Sequence, residues 1–145
     1  MTDSCTGVMM KVFDSSYLRI LHDPVHRVLE MQWQVSTSDE FREGMRLGIC
    51  EASRLGVHTW IGNLQAMRAL TPQDQEWIYE EWFPRFAALG IRRMAVVEPE
   101  NPLNRIGIMQ VMQHEESTVP LATAYFLSPE EARQWSCRHT DILLA

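Results

Sequence analysis

A small polar residue able to cap a helix stands directly before a helix-forming stretch at four places: Thr37-Ser-Asp-Glu40, Thr71-Pro72, Asn101-Pro102 and Ser128-Pro129-Glu-Glu131. Such a side chain accepts a hydrogen bond from one of the backbone N–H groups that a first helical turn leaves unpaired. Glu40, three residues after Thr37, completes a capping box. At the other three places a proline takes the first helical position, where its missing N–H costs nothing. Gly56 and Gly90 follow the first two helical patterns as residues able to adopt positive φ. Helices are therefore expected over 38–55, from 72 to about 89, from 102 to about 113, and over a short stretch after Ser128. Pro84 falls inside the second of these, so a kink is expected near Glu80, whose carbonyl loses its partner.

Strand-like runs fill the intervals. In Arg27–Val35, Leu29, Met31, Trp33 and Val35 alternate with Val28, Glu30, Gln32 and Gln34, and period two assigns the first set to a buried face. Tyr17–His22 alternates similarly, and Asp23-Pro24 between the two runs reads as the turn of an antiparallel hairpin. A short extended piece around Met9 to Phe13 precedes them. Later strands are expected over 57–62, 91–97 and 119–127, with Asn63–Leu70 a loop. The order β-β-α-β-α-β-α-β-α implies an α/β fold. Its right-handed crossovers build a mixed sheet of four to five strands flanked by helices. One domain spans residues 1–145, with a flexible N-terminus 1–8 and tail 138–145 expected.

Composition narrows the partners. A net charge of −6 argues against a non-specific nucleic-acid partner or an anionic membrane surface. No apolar run approaches the roughly 20 residues of a transmembrane segment, and the first residues do not resemble a signal peptide, so a cytoplasmic location is expected. Cys5, Cys50 and Cys137 suggest no disulfide framework; reduced thiols are expected, with Cys50 as a small buried hydrophobe.

Motifs for catalysis are sparse. The chain has no Gly-x-Ser-x-Gly, no glycine-rich phosphate loop and no paired histidines on one helix face. His22 and His26 flank a turn and read as solvent-facing. Cys137 and His139 lack two further ligands for zinc, so no metal is expected. Glu80-Glu81 and Glu115-Glu116 read as solvated helix faces. Thr71 and Ser128 are explained by capping. Asn63 and Glu98 are better candidates, because each ends a strand at the sheet edge where ligands of parallel sheets gather.

Apolar excess is the richest signal. Trp77, Tyr79, Trp82, Phe83 and Phe86 crowd the second helix, and on a regular helix Trp77 and Trp82 lie about 140° apart. They are expected on different faces, one of them available to a partner or ligand. Leu103, Ile106, Ile108, Met109, Val111 and Met112 wrap most of the third helix, which suggests a dimer face or one wall of an apolar pocket.

The element order, together with Phe41-Arg-Glu-Gly-Met45, Asp74-Gln-Glu-Trp77 and Gly90-Ile-Arg-Arg-Met-Ala-Val-Val97, resembles the SpoIIAA-like (STAS-like) proteins of bacteria over roughly residues 9–136. Trp60–Asn63, Thr71-Pro72 and Ser128–Ala132 fit the same pattern. The resemblance implies a mixed sheet flanked by helices and a non-enzymatic partner-binding role without a cofactor. True antagonists carry an Asp and then a phosphorylated Ser or Thr after the third strand. Here Gly62-Asn-Leu-Gln-Ala-Met67 offers neither, which speaks against that phosphoswitch. The expected function is a non-catalytic protein-interaction module, with a homodimer through the third helix. The alternative is a carrier or sensor of a hydrophobic small molecule or lipid. Candidate contact residues are Asn63, Trp77, Trp82, Glu98, Ile108, Met109 and Met112.

Overall fold

The computed structural model describes the backbone of residues 9–144 and the side chains of residues 9–138. Three strands come first, β1 (Met10–Asp14), β2 (Leu18–Asp23) and β3 (Val28–Trp33). There follow α1 (Ser38–Leu55), β4 (Thr59–Asn63), α2 (Pro72–Trp77), a π-helical turn (Ile78–Trp82), α3 (Phe83–Ala88) and β5 (Arg93–Val97). α4 (Pro102–Glu116), β6 (Ala122–Phe126) and α5 (Pro129–Leu144) complete the order.

All six strands form one mixed sheet in chain order. β1, β2 and β3 pair antiparallel, and β3 to β6 pair parallel. The sheet has six strands where four to five were expected, because the early extended piece around Met9 to Phe13 forms β1. It is a full edge strand, with Met10 opposite His22 and Asp14 opposite Arg19.

Each parallel crossover moves one place in the same direction, so right-handed connections put every crossover helix on one face. α1, the α2–α3 helix and α4 cover that face, where Leu29, Met31, Trp33, Trp60, Met94 and Val96 form the larger core. α5 lies across β4, β5 and β6 on the other face, packing Ala132 against Val28, Ile61, Ala95 and Val97. It is longer than the short helix expected, and its backbone continues through most of the supposed tail. The N-terminal expectation for residues 1–8 lies outside the described residues.

The capping chemistry is as expected. Thr37 and Glu40 form both bonds of the capping box, and Gly56 closes α1 at φ 66°. Thr71 Oγ1 accepts from the Asp74 N–H, Asn101 Oδ1 from the Leu103 N–H and Ser128 Oγ from the Glu131 N–H.

Burial in β3 differs from the one-sided pattern. Val28 and Glu30 are buried as completely as Leu29 and Met31, because helices cover both faces of the parallel region. Val35 lies beyond the end of the strand and is 69% exposed. Glu30 tolerates burial through two bonds from Arg133 of α5 and one from Gln32.

The irregularity before Pro84 is a π turn, and it changes which residues face the core. The Phe83 N–H bonds to the Ile78 carbonyl, five residues back. One wider turn takes roughly five residues, so it returns Trp82 to the side Trp77 occupies. Both indoles are therefore buried, which corrects the expectation that they face apart. Tyr79, only partly buried, is the aromatic at the margin.

Candidate functional site

A cavity of about 70 Å³ lies between the sheet and the three helices of the crossover face. Its floor is the sheet, through Trp33 of β3, Trp60 and Gly62 of β4, and Met94 and Val96 of β5. α1 contributes Phe41 and Met45, and the π turn contributes Ile78 and Trp82. Ile108, Val111, Met112 and Glu115 of α4 form the remaining helical wall, and the loop after β4 adds Leu64, Met67 and Leu70.

Local sequence explains how these walls meet. Gly44 and Gly48 let α1 settle directly on the sheet: a Cβ at Gly44 would lie 2.6 Å from Trp33 Cη2, and one at Gly48 2.6 Å from Trp60 Cη2. Trp82 is oriented by its indole N–H, which donates to the Met45 carbonyl at 2.9 Å. Trp60 and Trp82 pack edge to face at 5.7 Å. Asn104 is buried and holds the loop against α4. Its Nδ2 donates to the Met67 and Arg68 carbonyls, and its Oδ1 accepts from the Leu70 N–H.

Among the described residues Glu115 is the one charged residue lining the cavity, and it is 1% exposed. Its Oε1 has no hydrogen-bond partner among the described residues. Burial, with a smaller contribution from Glu116, pushes its carboxyl up to about 8, so it is largely neutral at pH 7. Reading Glu115-Glu116 as a solvated pair is therefore corrected for Glu115, while Glu116 is exposed. The signal was in the spacing: Ile108, Val111, Met112 and Glu115 recur at three and four, so Glu115 extends the apolar stripe of α4.

The candidates named from sequence divide around this cavity. Trp82, Ile108 and Met112 line it together. Met109 is 36% exposed and belongs with Leu103 and Ile106 to the outer face of α4. Trp77 lies outside the cavity wall, edge-on to Phe41 and beneath the Arg42 and Arg46 guanidiniums. Asn63 Oδ1 accepts from the Gln65 N–H in a local turn. Glu98 pairs with Arg105 at 3.2 Å. Neither of these two strand-end residues reaches the cavity lining.

A second cluster, of Asp23, His26 and Cys137, sits on the opposite face, whereas His22 is on the α1 side near Glu51 and Arg54. His22 and His26 are 8% and 5% exposed, not solvent-facing turn residues. Asp23 accepts from the Val25 and His26 backbone N–H groups, and its other oxygen lies 2.9 Å from His26 Nδ1. Ligand atoms of Asp23, His26 and Cys137 fall within 4.8 Å of one another. Cys137 is disulfide-bonded, and a bridged sulfur has no thiolate to give a metal. The expectation of reduced thiols throughout is corrected accordingly. Cys50 is free but exposed, not buried as expected. The side chain of His139 lies outside the described residues.

No family model, no curated protein and no solved structure matches the chain. No described helix is long and apolar enough to cross a membrane.

Proposed function

We propose that the protein is a non-catalytic, STAS-like binding module whose crossover face holds a small apolar molecule. The observation that carries this reading is the cavity itself, apolar on every wall except at Glu115. Its size, about 70 Å³, is roughly half that of an apolar cavity known to admit benzene. A ligand of a few non-hydrogen atoms suits it better than a long acyl chain. Met45, Met67, Met94 and Met112 among the lining residues supply side chains that repack around a guest. The STAS-like assignment rests on the order of elements and on the mixed sheet.

Methyl NMR with the methionines labelled tests the reading, using benzene and short-chain alcohols as probes. Saturable shifts at Met45, Met67, Met94 and Met112, with Met109 unmoved, are the expected result. Absence of saturable shifts at all four lining methionines would overturn it.

The outer face of α4 supports a second reading, as a contact surface for a protein partner or a second copy of the chain. Leu103 is 75% exposed and Ile106 59% exposed there, with Met109 beside them. Light scattering of wild type and Ile106→Glu tests the self-contact. A dimer abolished by the substitution supports it, and a wild-type monomer at every concentration removes it.

A further inference from the structure

We propose that the cavity selects a small apolar amine, whose ammonium group pairs with Glu115. This rests on the reading of the cavity as a ligand site and adds the chemistry of the ligand.

The argument starts from a missing donor. Glu115 Oε1 is buried and has no hydrogen-bond partner among the described residues, and of these Glu115 is the only charged one on a wall of aromatic and aliphatic side chains. A polar atom so placed costs stability unless something bonds to it. No described lysine or arginine lines the cavity to do so. Other hydroxyls and charges in this region are engaged or carry the same sign. On α4, Glu116 accepts from the Thr123 hydroxyl, and His114 packs at a tilt against Tyr79, ring centroids 4.4 Å apart. Past β5, Glu98 is paired with Arg105. On β6, the Tyr125 hydroxyl is pushed up first by burial and then by Glu116, with Glu115 and Glu98 adding to the same effect.

That field discriminates between ligands. It is negative, so it opposes a carboxylate and favours a cation. The rings of Trp33, Phe41, Trp60 and Trp82 line the same space, and aromatic faces attract ammonium groups. A carboxylate with aromatic walls and no competing cation matches an amine better than a fatty acid or an alcohol. The apolar remainder takes the short hydrocarbon part.

Protons balance without any covalent change. The amine enters as its ammonium form, Glu115 releases its proton to water, and an N⁺–H···O⁻ bond forms. Because Glu115 holds its proton up to about pH 8, affinity for the amine rises with pH, approaching about tenfold per unit below that value. A neutral ligand that accepts a hydrogen bond from protonated Glu115 gives the opposite trend.

The test compares n-butylamine with 1-butanol, followed at the methionine methyls across pH, in wild type and Glu115→Gln. The expected result is an amine bound about tenfold or more tightly than the alcohol at pH 8. That preference vanishes in Glu115→Gln, while the alcohol still binds. Equal binding of both probes, or amine affinity that falls with rising pH, overturns the role of Glu115 and leaves the apolar site standing. Binding of neither probe overturns both. If Glu115→Gln does not fold, the sign of the wild-type pH dependence decides alone.

Discussion

Arg133 on α5 holds the fully buried Glu30 on β3 through two hydrogen bonds of 2.7 Å, joining residues 103 positions apart. Those bonds also raise the Arg133 guanidinium above its ordinary value. Removing one partner strands a buried charge, whereas removing both replaces the pair with packing. Arg133→Ala is expected to destabilise the fold by about 3 kcal/mol. The double substitution Glu30→Leu with Arg133→Met should cost distinctly less. Urea unfolding of the two variants checks this, and equal losses would contradict it.

Glycines on two helices should respond oppositely to alanine. Gly48→Ala drives a methyl to 2.6 Å from Trp60 Cη2 and 2.8 Å from Met31 Cε. Overpacking of this kind costs about 1–3 kcal/mol, more than the roughly 1 kcal/mol gained from helix propensity. Gly107→Ala meets only the flexible end of Gln75, at 3.1 Å, so α4 should be stabilised by up to about 1 kcal/mol. Thermal unfolding should therefore move down for the first variant and up for the second.

Glu115 gives stability a distinctive pH dependence. Its folded value of about 8 lies above the ordinary 4.5, so between the two the unfolded chain binds fewer protons than the folded one. Its contribution consequently falls as pH rises through that window and levels off above about 8. Glu115→Leu should be more stable than wild type by a few kcal/mol at pH 8, with the advantage shrinking toward pH 4.5. Denaturant midpoints across this range test the sign, and an advantage growing toward acid would refute it.

The π turn makes an exposed residue indispensable for its backbone alone. Glu80→Ala removes a solvated side chain and should be nearly neutral, within about 0.5 kcal/mol. Deleting Glu80 takes one residue from the turn and swings Trp82 away from Trp60 and the Met45 carbonyl. That deletion should cost more than about 3 kcal/mol and shift the tryptophan emission toward the red. Fluorescence-detected unfolding of both variants separates the two outcomes.

What the sequence revealed was local, and what it concealed was non-local. Thr37, Thr71, Asn101 and Ser128 announce helices because a cap acts within one turn of its own residue. The burial of Val28, Glu30, Asp23 and His26 depends on α5, which follows them by about a hundred positions, and no period in their own segments records that cover. Trp77 and Trp82 were set apart because 100° per residue was carried through a turn that does not obey it. Of the cavity, Trp82, Ile108 and Met112 were legible as apolar excess. Glu115 was not, because its neighbour Glu116 suggested a solvated pair and outweighed its place on the stripe. Asn104 gave no sign of its role, since the loop carbonyls it clamps lie more than thirty residues earlier.

The two faces of the sheet differ in how many independent pieces seal them. Among the described residues, three crossover helices pack over one face, while α5 alone covers the other and has a side that faces solvent. Cooperative units of a protein open at different free energies, the least interlocked ones first. α5 is thus the natural first foldon to lift, within the tether of its disulfide-bonded Cys137, and its amides should exchange ahead of those in α1 and α4. The cavity can then outlast a partial opening that already exposes Glu30 to water.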